Sequence, residues 1–210
     1  MSVSTARVGT THGKIHERSK AILEAAREKA RKARKYDFAA TRETMSLECL
    51  KRTNLTPYPD QLDIAECMLL GLDATCIAGT GWGKTLPFAL PLFVPESRNK
   101  IMIVVSPLNS LELTNTSLSS SVAVEEGQYS ILLIFPKMLV SMQSPMRTLL
   151  CKPRFSQEVL GFVVDEAHCI AQWGLGGFRP EFLLWDVIRA LLSMDAAVLI
   201  TSATLPPATL

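Results

Sequence analysis

Five short apolar, β-rich runs punctuate the chain after Leu55: Ala74–Ala78, Ile101–Val105, Ser130–Phe135, Gly161–Val164 and Ala196–Ile200. A strand with one wet face alternates apolar and polar residues. A strand that is apolar at nearly every position is covered on both faces, and helical or loop stretches separate these runs. The pattern predicts an α/β fold with a parallel sheet and helices on both sides. Ligands of such sheets bind in the crevice outside the carboxyl ends of the strands, so the residues following each run are where chemistry is expected. The 210 residues allow one domain with flanking segments. The change in texture near Leu55 divides the chain into a basic helical segment, 1–54, and an α/β domain, 55–210.

The flanking segment reads as a helix over Lys14–Lys35, rich in Ala, Glu, Lys and Arg and free of Pro and Gly after Gly13. Arg27, Lys29, Arg31, Lys32, Arg34 and Lys35 fall on nearly all its faces. Two readings stand: contact with nucleic-acid phosphate or a nuclear-import signal, or a solvated helix laid on the domain. The net charge of +2 does not choose between them, because electrostatic binding depends on where charge sits. The five cysteines (Cys49, Cys67, Cys76, Cys151 and Cys169) are scattered and nowhere spaced as Cys-x-x-Cys. Neither a disulfide framework nor a zinc site is indicated, and a reducing compartment, nuclear or otherwise intracellular, is expected. No apolar run resembles a signal peptide or approaches membrane-spanning length, so no membrane association is expected.

After the first run comes Ala78-Gly79-Thr80-Gly81-Trp82-Gly83-Lys84-Thr85, then the apolar Leu86-Pro87-Phe88-Ala89-Leu90. Glycines let successive N–H groups turn inward as an anion nest, here leading into an expected helix whose N-terminus also favours phosphate. In this reading Gly79, Thr80, Gly81 and Gly83 cradle the phosphates of a nucleotide, Lys84 reaches the β- and γ-phosphates, and the Thr85 hydroxyl ligates Mg²⁺. The alternative is a chance glycine-rich turn, which the strand before and the helical run after make the weaker reading. The fourth run ends in Asp165-Glu166-Ala167-His168. Asp165 at a strand end suits a Mg²⁺ that keeps several waters, and Glu166 beside it suits polarisation of an attacking water. Against this stands a solvated strand end with Asp165 capping the next helix.

The phosphate loop, the Asp165–His168 box, and Thr201-Ser202-Ala203-Thr204 after the fifth run resemble motifs I, II and III of superfamily 2 helicases in order and spacing. The stretch Cys169-Ile170-Ala171-Gln172-Trp173-Gly174 through Phe178-Arg179-Pro180-Glu181 is similar to the aromatic-rich loop of RecQ-type helicases. The resemblance runs from about Pro57 to Leu210 and implies a RecA-like P-loop domain, ATP and Mg²⁺ as cofactors, and 3′–5′ unwinding of DNA as the parent activity. It further implies that Gln61 in Tyr58-Pro59-Asp60-Gln61 reads adenine, although many family members carry Arg where Tyr58 stands. Ser106-Pro107 matches motif Ia and Pro136-Lys137 lies in a motif Ib-like stretch, both of which imply contacts to the DNA backbone. Gln172, Trp173, Phe178 and Arg179 would meet single-stranded or forked DNA, with the two aromatics stacking on bases at about 1–3 kcal/mol each. The other reading places Trp173 and Phe178 in the core. Ser202 and Thr204 would couple hydrolysis to movement, with Lys84, Asp165, Glu166 and His168 as the catalytic set.

Two departures accompany the resemblance. The stretch between Leu111 and Phe135 is too short for the strand–helix unit that the family places there. The second helicase lobe, which carries the arginine fingers, does not follow within this chain, so slow hydrolysis and no unwinding by the chain alone are expected. Two rival functions remain: a non-catalytic helicase remnant that binds nucleic acid or a partner, and an unrelated P-loop nucleotide kinase, against which the motif II-like and motif III-like stretches speak.

Overall fold

The structure, a computed structural model, describes residues 6–106, 130–141, 143–168 and 196–204. Elements are numbered among these residues. Two helices lead, α1 (Ala6–Arg34) and α2 (Phe38–Thr53), followed by α3 (Pro59–Leu69). The strands are β1 (Ala74–Ile77), β2 (Ile101–Val105), β3 (Ile131–Ile134), β4 (Val159–Val164) and β5 (Ala197–Ser202). Between β1 and β2 lies the single-turn helix α4 (Leu86–Ala89), and between β3 and β4 lie α5 (Pro136–Val140), α6 (Pro145–Leu150) and α7 (Pro153–Glu158).

All five apolar runs form strands of one sheet in the order β1-β5-β4-β2-β3, every pairing parallel. The three central strands are buried almost throughout, as continuous apolar sequence demands. The edges depart from the expectation of cover on both faces: Ile77 on β1 and Ile131 and Leu133 on β3 are exposed. Among the described residues, an edge strand here has a neighbour on one side and helical cover on one face. The fifth run also reaches further than its apolar residues, since Thr201 and Ser202 are the last residues of β5 rather than a loop beyond it.

Alternate residues of the central strands feed two cores. Ile101, Ile103, Val105, Phe162 and Val198 pack with Leu139, Leu149, Leu150 and Phe155 of α5–α7 on one face. On the other, Met102, Val104, Val163 and Leu199 pack with Met68 of α3 and Phe88 of α4. Gly161 permits the close seating of α3, because a Cβ there would stand 2.5 Å from Met68 Cε, 3.1 Å from Met102 Sδ and 3.2 Å from the Ala197 carbonyl.

The basic segment is a helix over a longer span than Lys14–Lys35, and it is not solvated on every side. Leu23 is buried, Arg27 turns inward to α3, and Arg34 donates to the Leu69 carbonyl at 3.0 Å. Helix α2 starts on Asp37, whose carboxylate caps the Ala39 and Ala40 amides, and stops at Asn54 in the left-handed region. Met45 and Cys49 of α2 pack with Leu62 and Ala65 of α3 and with Leu90, so the leading helices are laid on the domain.

Candidate nucleotide-binding site

Three sequence stretches meet at the carboxyl ends of β1, β5 and β4, with β5 in the middle. The Ala78 amide, first of the phosphate loop, donates to the Ser202 carbonyl at the end of β5 (3.0 Å). On the other side of β5 the Thr201 hydroxyl donates to Asp165 Oδ1 at 2.7 Å, and the Ala167 amide donates to the Thr201 carbonyl at 2.9 Å. The phosphate loop and the acidic box are thus each tied to neighbouring residues of one buried strand. Thr201, which the motif reading left out of the site, is the side chain that orients Asp165.

Within the phosphate loop Gly81 and Gly83 have φ of 85° and 83°, a region that side chains with a Cβ rarely adopt. Gly83 has no spare room either: a Cβ would lie 3.0 Å from Gln61 Nε2. Gln61, at 1% exposure, donates to the carbonyls of Trp82 (2.8 Å) and Gly83 (3.3 Å) and accepts from the Tyr58 amide (2.8 Å). The residue expected to read a base is therefore bonded to the loop itself, while Tyr58 beside it is exposed. Trp82 is partly buried against the core of that face. Lys84 bends back, its ammonium donating to the carbonyls of Ala78 (2.9 Å) and Gly79 (3.3 Å). An incoming phosphate would exchange those two carbonyls for its own oxygens.

The expected helix after the loop is a correction. Only Leu86–Ala89 is α-helical, with Thr85 before it, and the chain continues as 3₁₀ turns over Leu90–Phe93 and Pro95–Ser97. Pro91 has no N–H to offer the carbonyl four residues earlier, so the helix cannot extend past Leu90. A macrodipole sums aligned peptides, and one turn supplies few of them. Were an anion to bind at this loop, the attraction would come from the loop's own amides, Lys84 and Thr85.

At the acidic box the Asp165 amide still bonds to β2 through the Val105 carbonyl (2.9 Å), whereas the Ala167 amide bonds to β5. The chain changes partners across Glu166, which has φ of 50°. A bulky residue held in that region marks stored strain of the sort that gathers at functional sites. Asp165 Oδ1 also accepts from the Glu166 amide at 3.0 Å. Glu166 Oε2 is buried without a hydrogen-bond partner, although His168 Nδ1 lies 3.2 Å away off the line of a bond.

His168 Nδ1 and Ser202 Oγ are 3.2 Å apart, and the Ser202 hydroxyl donates to the Thr204 carbonyl at 2.7 Å. A hydroxyl has one proton, so toward His168 it accepts, which places the imidazole proton on Nδ1. The Thr204 amide returns to Ser202 Oγ at 3.3 Å, closing a turn at the end of β5. His168, Ser202 and Thr204 form one chain of polar contacts from the acidic box to the motif III-like stretch.

Of the residues assigned to nucleic acid, Ser106 is buried at the end of β2, its amide bonded to the Ile134 carbonyl (3.2 Å), and Pro136 is buried at the start of α5. Lys137 lies on α5. Pro107, Gln172, Trp173, Phe178 and Arg179 lie outside the described residues, as does the short stretch between Leu111 and Phe135 up to Gln128 and Tyr129. Among the described residues no group of three or more His, Cys, Asp or Glu side chains is placed to hold a metal. No described helix is long and apolar enough to cross a membrane.

The DEAD/DEAH box helicase family profile matches residues 58–210. ATP-dependent DNA helicase RecQ of Synechocystis sp. is 29% identical over 157 residues, covering 66% of this chain and 31% of that protein. The probable ATP-dependent DNA helicase RecS of Bacillus subtilis is 32% identical over 162 residues, covering 68% of this chain and 31% of its own length. ATP-dependent DNA helicase Q-like 4B of Arabidopsis thaliana is 28% identical over 177 residues, covering 73% of this chain and 15% of that protein. The chain thus spans a third or less of the length of these relatives. Among solved structures, DUF1998 helicase MrfA bound to DNA and AMPPNP superposes with a TM-score of 0.52 at 18% identity, covering 79% of this chain and 26% of that one, a likeness of fold. With the phosphate loop, the Asp165–His168 box and the Thr201–Thr204 stretch assembled on three neighbouring strands, the chain belongs to the DEAD/DEAH box helicase family and is RecQ-like within it.

Proposed function

We propose that this chain binds ATP·Mg²⁺ as the first lobe of a RecQ-like DNA helicase engine, and that single-stranded or forked DNA runs across the carboxyl end of its sheet. The observation that carries the reading is the double attachment of β5, to the phosphate loop through Ala78 and Ser202 and to the acidic box through Thr201 and Asp165. Phosphoryl transfer is mostly positioning and electrostatic stabilisation, and the attachment of both stretches to one strand supports a cation and a carboxylate serving one nucleotide. Lys84 would neutralise the β- and γ-phosphates. Thr85 and Asp165 would hold Mg²⁺, a donor set of one hydroxyl and one carboxylate that suits an ion which keeps most of its waters and takes the rest of its ligands from phosphate. Bound there, the ion would offset charge developing on the phosphates. Glu166, with a buried carboxylate oxygen that accepts no hydrogen bond, would orient the attacking water.

Replacing Lys84 with Ala removes a charged hydrogen bond worth about 1.5–3 kcal/mol, with the lower end expected because the ammonium first gives up the Ala78 and Gly79 carbonyls. Calorimetry with an ATP analogue should show at least about tenfold weaker binding. Equal affinity would remove the phosphate-site assignment. The second part of the reading is that residues 1–210 alone turn ATP over slowly and do not unwind, since an arginine finger, absent from one lobe, is worth roughly 10³–10⁵ in rate. A forked-duplex displacement assay tests it, and ATP-dependent displacement above that of Lys84→Ala would overturn it.

A further inference from the structure

The most heavily buried charge among the described residues lies away from the nucleotide loop, on the helix that carries Gln61. Glu66 of α3 has a side chain at 0% exposure, and three side chains hold it. Arg27 of α1 makes a two-bond contact, with Nε at 3.0 Å from Oε1 and Nη2 on Oε2. The Tyr36 hydroxyl donates to Oε1 at 2.9 Å, and Arg42 of α2 reaches Oε2 at 3.1 Å. Asp63, one turn earlier on α3, takes a second contact from each arginine. With Glu24, which Arg27 also meets at 3.0 Å, two cations face three carboxylates, and a fully buried carboxylate is tolerated only with such partners.

The cluster grips α3 at both ends of the segment that matters. Arg42 also donates through Nη2 to the Pro59 carbonyl at 3.3 Å, on the first residue of α3 and two before Gln61. Gln61 in turn holds the Trp82 and Gly83 carbonyls, with a Gly83 Cβ position only 3.0 Å from its amide nitrogen. There is no slack toward the loop, and a shift of α3 away from it takes the amide beyond bonding distance. The Gly83 carbonyl also receives the Leu86 amide at 3.0 Å, so the start of α4 rests on the same group.

We infer that Glu66 is a positioning residue for the phosphate loop: the leading helices, through Arg27 and Arg42, set α3 so that Gln61 fixes the loop in its binding shape. This rests on the nucleotide reading above and gives the N-terminal segment a role within it. The link runs from α1 and α2 to Glu66 through hydrogen bonds, along helix α3 from Glu66 to Gln61, and from Gln61 to Trp82 and Gly83 through hydrogen bonds again.

The test uses the full chain with Glu66→Gln, which keeps the shape and removes the charge, and Tyr36→Phe, which removes one hydrogen bond and leaves both arginine contacts. Amide hydrogen exchange is followed in the nucleotide-free protein at Leu86 and at core amides of β4. Expected is an exchange rate at Leu86 raised about tenfold relative to β4 in Glu66→Gln, and about two- to threefold in Tyr36→Phe, as loss of a charged or a neutral hydrogen bond implies. Affinity for an ATP analogue should fall about five- to tenfold in Glu66→Gln and about as much in Gln61→Ala, and the double variant should be no weaker than the weaker single one. Proportional loosening of Leu86 and β4, or effects of Glu66→Gln and Gln61→Ala that multiply, would show a structural role only and overturn the inference. If Glu66→Gln fails to fold, an unchanged Leu86 rate in Tyr36→Phe overturns it as well. Exchange coupled as expected in a parent chain that binds no analogue would leave the positioning link standing and remove the nucleotide reading instead.

Discussion

Thr201→Val is the perturbation that most directly questions how the acidic box is built. Thr201 is fully buried, and its hydroxyl stands 2.7 Å from Asp165 Oδ1, a short bond of the kind made to a charged acceptor. Valine matches the volume and removes the donor, so Asp165 keeps only the Glu166 amide among these two contacts. A hydrogen bond to a charged group contributes about 1.5–3 kcal/mol, more than the added methyl returns in a site that faces a carboxylate. Urea denaturation should show a loss of about 1–3 kcal/mol. If Asp165 serves Mg²⁺, the Mg²⁺-dependent part of ATP-analogue affinity should fall by roughly tenfold for each 1.4 kcal/mol of lost orientation. Binding measured in excess EDTA should change little. Thr201→Ser restores the hydroxyl and drops only a methyl, so it should recover the Mg²⁺ dependence while remaining somewhat destabilised. A valine variant with the parent's stability and Mg²⁺ dependence, or a serine variant as impaired as the valine one, would refute the assignment.

Gly161→Ala should cost about 1–3 kcal/mol in urea denaturation, because Met68 and Met102 can bend away from a new Cβ but the Ala197 carbonyl of the neighbouring strand cannot; a neutral result would mean that α3 sits less tightly than described. Burial first, then the neighbouring Glu66 charge, raises the Tyr36 hydroxyl above its usual value near 10, so its contribution to stability is complete below about pH 10 and is lost as pH rises further, where the unfolded chain sheds the proton first. Tyr36→Phe should flatten that alkaline limb, and an unchanged slope from pH 9 to 11 would contradict the burial. Burial, with the Asp63 and Glu66 charges, pushes the Cys67 thiol up to about 11, whereas Cys151 is exposed. Iodoacetamide at neutral pH should therefore label Cys151 well before Cys67, Cys76 or Cys49 by peptide mass spectrometry, and early labelling of Cys67 would refute the described packing.

The strands were legible because burial on two faces leaves no room for polar alternation, which made Ile101–Val105 and Gly161–Val164 conspicuous, although the latter strand starts two residues earlier, at Val159. The phosphate loop and the acidic box were legible because their chemistry is local to a few successive residues. Thr201 was not. Whether a threonine at a strand end faces a carboxylate depends on the register of β5 against β4, and Val164 pairs with Ile200 for reasons spread across the whole sheet. The Glu66 cluster was hidden for a related reason: its partners stand 39, 30 and 24 residues away, and a glutamate on an amphipathic helix reads as solvated until a second helix covers it. The shortness of α4 follows from Pro91, whereas Pro87 sits in the first turn, where proline is tolerated.

The two halves of the nucleotide site are held in different ways, and this decides what can move. Asp165 is fixed by the Thr201 hydroxyl of β5 and by its own amide's bond to β2, with Ala167 two residues on bonded to β5, so it shifts only if three strands shift together. A packed parallel sheet resists that. The phosphate loop has one backbone bond to β5 at Ala78, and beyond it rests on the amide of Gln61 and on the ammonium of Lys84. Of these, the lysine contacts are the ones a phosphate would replace under the proposed reading, while the glutamine contacts are held from behind by Arg27 and Arg42 through α3. On the proposed reading, nucleotide entry would ask for rearrangement at Lys84 against a fixed carboxylate, confining the motion to one side chain and the few residues of its loop. The Ser202–Thr204 turn is the remaining adjustable part, because its hydrogen bonds are local to β5's end. Any change there alters what Ser202 offers His168, and His168 lies 3.2 Å from the buried oxygen of Glu166. The path from the motif III-like turn to the residue that would orient water is two side chains long.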